Sequence, residues 1–253
     1  LVREPEFGIT VGNAEMRGRL TAPVGIVDKP VEQRRDLLLL DLSGGAGHVL
    51  IVGGPQSGKS TLLRTLILSF AVTHTAREAQ FYCLDFGVGA LTLLRDLPHV
   101  GGVATRRDPG HVRRTVAELA GLLRRREEAF AAGGVDSMAT YRRQRAEGRF
   151  ADDPHGDVFL VVDGWSTIRA EFEDQETAIV DLANRGLSFG IHVVATAGRW
   201  MDVRHTVRDV FGTKLELRLG DPTDSMVNRR VAVNVPENAP GRGLTADAAH
   251  FLA

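Results

Sequence analysis

From Gly53 the chain runs Gly54, Pro55, Gln56, Ser57, Gly58, Lys59, Ser60 and Thr61, a Gly-x-x-x-x-Gly-Lys-Ser pattern. An apolar run (48–52) precedes it, and a segment with apolar residues at helical spacing (Leu62, Leu63, Leu66, Ile67, Phe70) follows. A strand, a glycine turn and a helix start form a phosphate cradle. The glycines let successive N–H groups curl round an anion, and the helix N-terminus adds partial positive charge. Lys59 is placed to reach the β- and γ-phosphates, and the Ser60 hydroxyl to ligate Mg²⁺. The bare pattern also occurs as a plain glycine turn; its strand and helix flanks favour nucleotide phosphate binding. The nine residues from Gly53 to Thr61 are the candidate phosphate site.

Such a cradle demands an α/β sheet, and the rest of the chain supplies one. Apolar runs at 37–42, 48–52, 80–85, 100–104, 158–163, 191–195 and 214–219 read as strands. Helical patterns follow the glycine turn, span 109–132, run from 164 to near Phe189 and recur around 203–210. The stretch 133–156 is basic and mixed, a loop with a short helix. Strands too apolar to have one wet face, alternating with helices, imply a mostly parallel sheet covered on both sides. Residues 1–22, polar and glycine-bearing, read as a lead-in, and 23–253 as a single domain.

Hydrophobic residues make up 43% of the 253, enough for a proper core. The net charge of −1 gives no hint of a polyanionic partner. Arg113, Arg114 and the run Arg124, Arg125, Arg126 alternate with Glu118, Glu127 and Glu128, and read as a solvated helix face. No aromatic residues interleave with them, so nucleic acid is not an expected partner. Cys83 is the single cysteine, which rules out an internal disulfide; in an apolar strand it reads as a buried, inert thiol. No run of about eighteen apolar residues is present to span a membrane. The chain opens on Leu1 without a secretory pattern, as expected of a domain cut from a longer protein, whose other parts would carry any membrane attachment.

The strand 158–163 ends in Asp163, a carboxylate delivered where open α/β sheets place ligands. With Ser60 it forms the expected Mg²⁺ site, and with Lys59 the core of the expected catalytic set. The next residue is Gly164, where many P-loop ATPases carry a Glu that polarises the attacking water. A missing general base costs about 10²–10⁴ in rate, roughly 3–5 kcal/mol of barrier, and spares binding. Asp85 and Glu171 are carboxylates that could stand in for it. At the tip of strand 191–195, Thr196 is placed to sense a γ-phosphate. Arg199 is either a phosphate or intersubunit contact or an exposed loop charge.

Further marks extend over nearly the whole chain: Val24, Gly25, Ile26, Val27, Asp28, Lys29 and Pro30 ahead of Gln33; Gly47 and His48 leading into the P-loop; Leu97, Pro98, His99, Val100, Gly101 and Gly102; Gly134, Val135, Asp136 and Ser137 before Tyr141; and Gly190, Ile191 and His192. By these the chain resembles the FtsK/SpoIIIE-type ATPase domains, and closely the EccC ATPases of type VII (ESX) secretion. The resemblance implies a RecA/FtsK-like P-loop NTPase fold, ATP with Mg²⁺ as cofactors, and a cytoplasmic domain of a membrane-associated secretion complex. It implies as partners neighbouring ATPase domains of the same longer chain, with a hexamer compatible with the full assembly. It also implies an apolar pocket for the C-terminal signal of WXG-type substrates or for an inter-domain linker. Trp165, Ile168 and Phe172 are either lining of that pocket or core. Gly241, Arg242 and Gly243, in a segment (240–243) that reads as a tight hairpin, are either neighbours of the base or ribose, as the resemblance implies, or a plain turn.

Two departures from the family pattern bear on activity. FtsK motors carry Asp-Glu where this chain has Asp163 and Gly164, and Ala-Thr-Gln-Arg-Pro where it has Ala195, Thr196, Ala197, Gly198 and Arg199. Asp163, Gly164 and Trp165 look most like a second ATPase domain. The expected function is an ATP-binding, weakly or non-hydrolysing regulatory domain of the secretion motor. The alternatives are a competent translocating ATPase, completed by an arginine from a neighbour (Arg204, Arg208, Arg229 and Arg230 are candidates), or a tail- or linker-binding module with a vestigial P-loop.

Overall fold

Strands buried along their whole length organise the molecule. The computed structural model describes residues 19–253; the lead-in 1–18 lies outside the described residues. The described residues open with an antiparallel pair, β1 (Thr21–Lys29) and β2 (Arg34–Asp41). The expected domain start at 23 falls inside β1, since Leu20 and Ala22 are already buried. β3 (Val49–Val52) leads through the glycine turn to α1 (Lys59–Thr73), and β4 (Ala79–Asp85) and β5 (Val100–Thr105) follow. α2 (Pro109–Gly133) begins with Pro109 at its first turn and the Asp108 carboxylate accepting the His111 N–H, and ends on Gly134 at φ 61°. α3 (Met138–Ala146) leads to β6 (Asp157–Asp163).

The helical stretch expected after β6 is two helices, α4 (Trp165–Glu171) and α5 (Glu173–Arg185), followed by a 3₁₀ turn over Gly186–Phe189. The break falls at Phe172, which leaves helical geometry (φ −137°) and stacks on Phe86 at 5.5 Å. β7 (Ile191–Ala197), α6 (His205–Arg208), β8 (Thr213–Leu217), α7 (Arg229–Ala232), β9 (Arg242–Leu244) and β10 (His250–Leu252) complete the order. The turn at 240–243 delivers β9 rather than joining a hairpin. The β9–β10 connection is made at Thr245–Ala249, where the Thr245 N–H donates to the Ala249 carbonyl.

All strands of the described residues join one sheet in the order β2-β1-β10-β9-β8-β3-β7-β6-β4-β5. From β8 to β5 the pairings are parallel, and from β8 to β2 antiparallel. Every residue of β3, β6 and β7 is buried, as a central parallel strand covered on both faces requires. α1 packs over one face against Phe81, Phe159 and β1. α2, α4 and α5 cover the other face. Crossovers of this kind place every parallel strand's C-terminal end along one edge, where β3 opens into the glycine turn.

Candidate functional site

Gln56 lies in the left-handed region (φ 57°) and Gly58 at φ 103°, a curl that turns successive N–H groups toward a common centre. Gly58 offers α1 no side-chain cap, so the helix N-terminus keeps its donors for a ligand. Space also demands glycine here: a Cβ on Gly58 would stand 2.7 Å from the Gly241 nitrogen. The Lys59 ammonium folds back on the loop, donating to the carbonyls of Gly53 (2.7 Å) and Gly54 (2.6 Å). Burial lowers its pKa, opposed by the charges of Asp163 and Asp202. Inside the loop the Ser57 hydroxyl is buried without a partner. Burying a hydroxyl unpaired is costly, so a cradle with an orphaned donor beside a cation fits a phosphate group. Pro55, Gln56 and Thr61 are exposed on the loop's outer side, with Gly53 and Gly54 buried beneath.

Asp163, at the end of β6, ties the site together. Its Oδ2 accepts from the Ser60 hydroxyl at 2.6 Å and its Oδ1 from the Thr196 hydroxyl at 2.7 Å. Thr196, paired with Asp163 across β6 and β7, in turn accepts the Gly164 N–H at 2.9 Å. A hydroxyl and a carboxylate in contact beside the lysine are the donor set that P-loop sites use to hold Mg²⁺, the hydroxyl directly and the carboxylate through the water shell. Among the described residues no cluster of three or more His, Cys, Asp or Glu forms a metal cage. The donor set therefore suits a cation that keeps its waters and shares phosphate oxygens. Bound there, Mg²⁺ would neutralise phosphate charge; Ser60 and Asp163 would hold and orient it.

The carboxylates named as stand-ins for a general base are engaged elsewhere. Asp85 is buried beside Asp163 and accepts the N–H groups of Gly87 (3.2 Å), Leu91 (2.8 Å) and Thr92 (3.2 Å), pinning its own loop. Glu171 pairs with Arg106 at 2.7 Å. Gly164 sits at φ 107° as the residue before α4. Asp202, which sequence reasoning missed, accepts the Arg199 N–H at 2.9 Å and lies over Gly198. The Arg199 side chain is exposed.

The remaining candidates separate in space. Gly241, of the 240–243 segment, donates its N–H to the Ser57 carbonyl at 2.8 Å. Arg242 turns away to Asp28 (3.4 Å), and Gly243 is buried in β9 where a side chain would collide with the Glu216 carbonyl. Trp165 and Ile168 are fully buried and Phe172 nearly so; they are core, and the Trp165 indole donates to Glu176 at 3.2 Å. Arg204 approaches Glu176 at 3.4 Å, while Arg229 and Arg230 on α7 are exposed. Arg126 leaves the expected solvated face and is buried. Cys83 is buried, and its burial pushes the thiol pKa up to about 12. No helix of the described residues is long and apolar enough to cross a membrane.

Residues 15–253 match the FtsK/SpoIIIE family. The ESX secretion system protein EccC of Thermomonospora curvata is 61% identical over 245 residues, 97% of this chain and 19% of that protein. The ESX-4 secretion system protein EccC4 of Mycobacterium tuberculosis is 50% identical over 249 residues, 98% of this chain and 20% of its own length. The chain thus spans about a fifth of these relatives. The structure of T. curvata EccC (ATPases 2 and 3) in complex with a signal sequence peptide superposes with a TM-score of 0.93 at 61% identity, over 96% of this chain and 44% of that one. The pCW3 conjugation coupling protein TcpA, solved as a monomer with ATPγS, shares the fold at 18% identity and a TM-score of 0.73, over 100% of this chain and 68% of its own.

Proposed function

The chain belongs to the FtsK/SpoIIIE family, and from that premise we propose that it is an EccC-type ATPase domain of an ESX (type VII) secretion protein that binds Mg-ATP and cleaves it slowly or not at all. The observation that carries this reading is the asymmetry around Asp163. On its P-loop side, Lys59, Ser57 and Ser60 supply what a triphosphate and its metal need. On the far side the position that would activate water is Gly164, and both candidate substitutes, Asp85 and Glu171, are already bonded. Thr196 is bound into the same network, holding Asp163 rather than presenting a free donor. Binding groups without an activating carboxylate favour a domain that holds ATP as a structural and regulatory ligand. Gly164 and Trp165 after Asp163 support placing it as the second ATPase domain. Its partners are then neighbouring ATPase domains of the same longer protein and a substrate tail or linker, as the signal sequence peptide on the T. curvata relative suggests. The domain would work on the cytoplasmic side of the membrane, with attachment belonging to the rest of the longer protein.

The test is chemical. The protein is incubated with Mg-ATP, desalted, denatured, and its released nucleotide chromatographed. Intact ATP near one per chain is expected, falling at least about 100-fold in affinity for Lys59→Ala, some 3 kcal/mol. Stoichiometric ADP would move the translocating-motor reading to first place, and no nucleotide at all would sink the ATP-binding reading.

A further inference from the structure

The strand order places β7 between β3, which opens into the P-loop, and β6, which ends in Asp163. The terminal phosphate of a nucleotide held by Lys59 and the Asp163 side would therefore lie off the β7 tip. That tip is joined to the loop. The Ala197 carbonyl accepts the Gly53 N–H at 3.1 Å, and the Gly53 carbonyl accepts from the Lys59 ammonium at 2.7 Å. Side chains alternate along a strand, so position 198 takes the same side as Thr196, which reaches Asp163. Position 198 is glycine, and a carboxylate from further along the chain stands in the space its side chain would need. A Cβ on Gly198 would meet Asp202 Oδ2 at 3.1 Å.

Asp202 is fixed there by the turn that carries it, a 3₁₀ segment over Trp200–Asp202. The buried Trp200 indole donates to Glu216 at 2.5 Å, and the Arg169 guanidinium donates to the carbonyls of Met201 and Asp202, each at 3.3 Å. The Arg199 N–H donates to Asp202 Oδ2 at 2.9 Å. Among the described residues the Asp202 carboxylate enters no ion pair, unlike Glu171 on Arg106 or Asp153 on Arg126. Its charge is felt at the Lys59 ammonium, as that of Asp163 is. The two carboxylates differ in what offsets them. Asp163 is bonded to the Ser60 hydroxyl, the pair that suits a metal ion. Asp202 has no such partner, and a half-buried charge is screened less than an exposed one. It would meet an incoming terminal phosphate as a like charge.

We propose that Asp202 sets the choice between nucleoside di- and triphosphate: its carboxylate, fixed over the glycine at the β7 tip, opposes a terminal phosphate and narrows the preference for ATP over ADP. The proposal rests on the nucleotide-binding reading above and makes Asp202 a specificity residue, not a stand-in for the missing base. It is tested by titration calorimetry of the whole protein with Mg-ATP and with Mg-ADP, in the wild type and in Asp202→Asn. That variant removes the charge and keeps both the shape and an acceptor for the Arg199 N–H. Mg-ATP is expected to bind roughly tenfold tighter in the variant and Mg-ADP within about twofold of the wild type, the scale of one like-charge contact in a partly screened site. A damaged turn alone would weaken binding, so a gain is a result that a merely structural role does not produce. Asp202→Ala, which loses charge and acceptor together, should show the same widened ATP-to-ADP ratio even where a loosened turn weakens both ligands. An unchanged ratio in Asp202→Asn, or one shifted toward ADP, would overturn the assignment and leave the P-loop reading intact. A wild-type protein that binds neither nucleotide would overturn both.

Discussion

At the N-terminal ends of β6 and β7, buried charge is consumed. Arg126 donates to Asp153 (2.7 Å) and to the carbonyls of Phe189 (2.7 Å), His155 (2.8 Å) and Gly156 (2.8 Å), and Tyr141 donates to the same Asp153 at 2.7 Å. Arg142 (2.6 Å) and His192 (3.1 Å) close on Asp157 beside it. At the C-terminal ends of the same strands the charge is provisional. Lys59 rests on its own loop's carbonyls, Ser57 has no partner, and Asp163 and Ser60, which would hold a cation, hold each other. Both ends are rich in buried ionisable groups, so burial of charge does not by itself mark a binding site. What distinguishes the ligand end is that its groups are unpaired, as Ser57 is, or held by arrangements a phosphate can displace.

The sharpest way to break this contrast is at the closed end. Arg126→Met removes the charge, keeps much of the volume, and strands Asp153 and three carbonyls. Breaking one partner of a buried pair costs about 3–5 kcal/mol, which for a domain of this size lowers Tm by on the order of 10 °C. Thermal denaturation checks it, with the folded fraction expected to keep its nucleotide stoichiometry. A Tm within about 2 °C of wild type would mean that the closed end is not the structural clamp described here.

Acid probes the same end without a mutation. Burial, with the neighbouring His192 ring, holds His48 down to about 4 against an ordinary 6.5, the bond to the Ala183 carbonyl opposing. In the unfolded chain His48 takes a proton between pH 6.5 and 4 that the folded protein refuses, so its contribution is complete above 6.5 and lost as pH falls through that window. The loss is roughly 3 kcal/mol. Asp157 follows at lower pH. Burial raises its pKa, but the bonds from His192 and Arg142 outweigh that and bring it from 3.8 to about 2. Its support is present above 3.8 and disappears as pH drops toward 2. Urea denaturation across pH 4–7 should therefore show stability falling with acidity, and a His48→Gln variant should flatten that slope. An unchanged slope in the variant would remove His48 from the account.

Much of the ligand end was legible in sequence because its signals are local: the glycine pattern, the apolar run ending in Asp163, and the helical period after Lys59. The closed end was less so. Arg126 sits in a run of three arginines that reads as solvated, yet only it is buried, while Arg124 and Arg125 are exposed. Its spacing from Leu119, Leu122, Leu123 and Phe130 puts it on the apolar stripe of α2, a signal present but overridden by the charge pattern. Gly241 and the three-residue strands β9 and β10 carried no periodic signal, being too short to show one. The jobs of Asp85, Thr196 and Asp202 depend on partners brought near by the sheet, which no spacing along the chain reveals.

At the open end, Gly164 tests whether the missing carboxylate is a side-chain or a backbone matter. Its φ of 107° is strained for any residue with a Cβ, and a Cβ there would meet the Phe86 Cβ at 3.4 Å. Its N–H is also held by Thr196. Gly164→Glu is therefore expected to cost about 1–2 kcal/mol of stability and to leave ATP turnover at the parent level. A gain of about 100-fold in turnover would show that the side chain alone was lacking.

The finest test concerns Thr196, whose hydroxyl is bonded to Asp163. Thr196→Val keeps the shape and removes the donor to Asp163 Oδ1 and the acceptor for the Gly164 N–H. A lost hydrogen bond of this kind is worth about 1 kcal/mol, so Mg-ATP affinity should fall roughly five- to tenfold. If Asp163 serves the metal as proposed, the same variant measured with EDTA should bind ATP as the wild type does, and Thr196→Ser should restore the difference. If the loss persists without metal, Thr196 touches the phosphates directly, and the open end holds a γ-phosphate sensor after all.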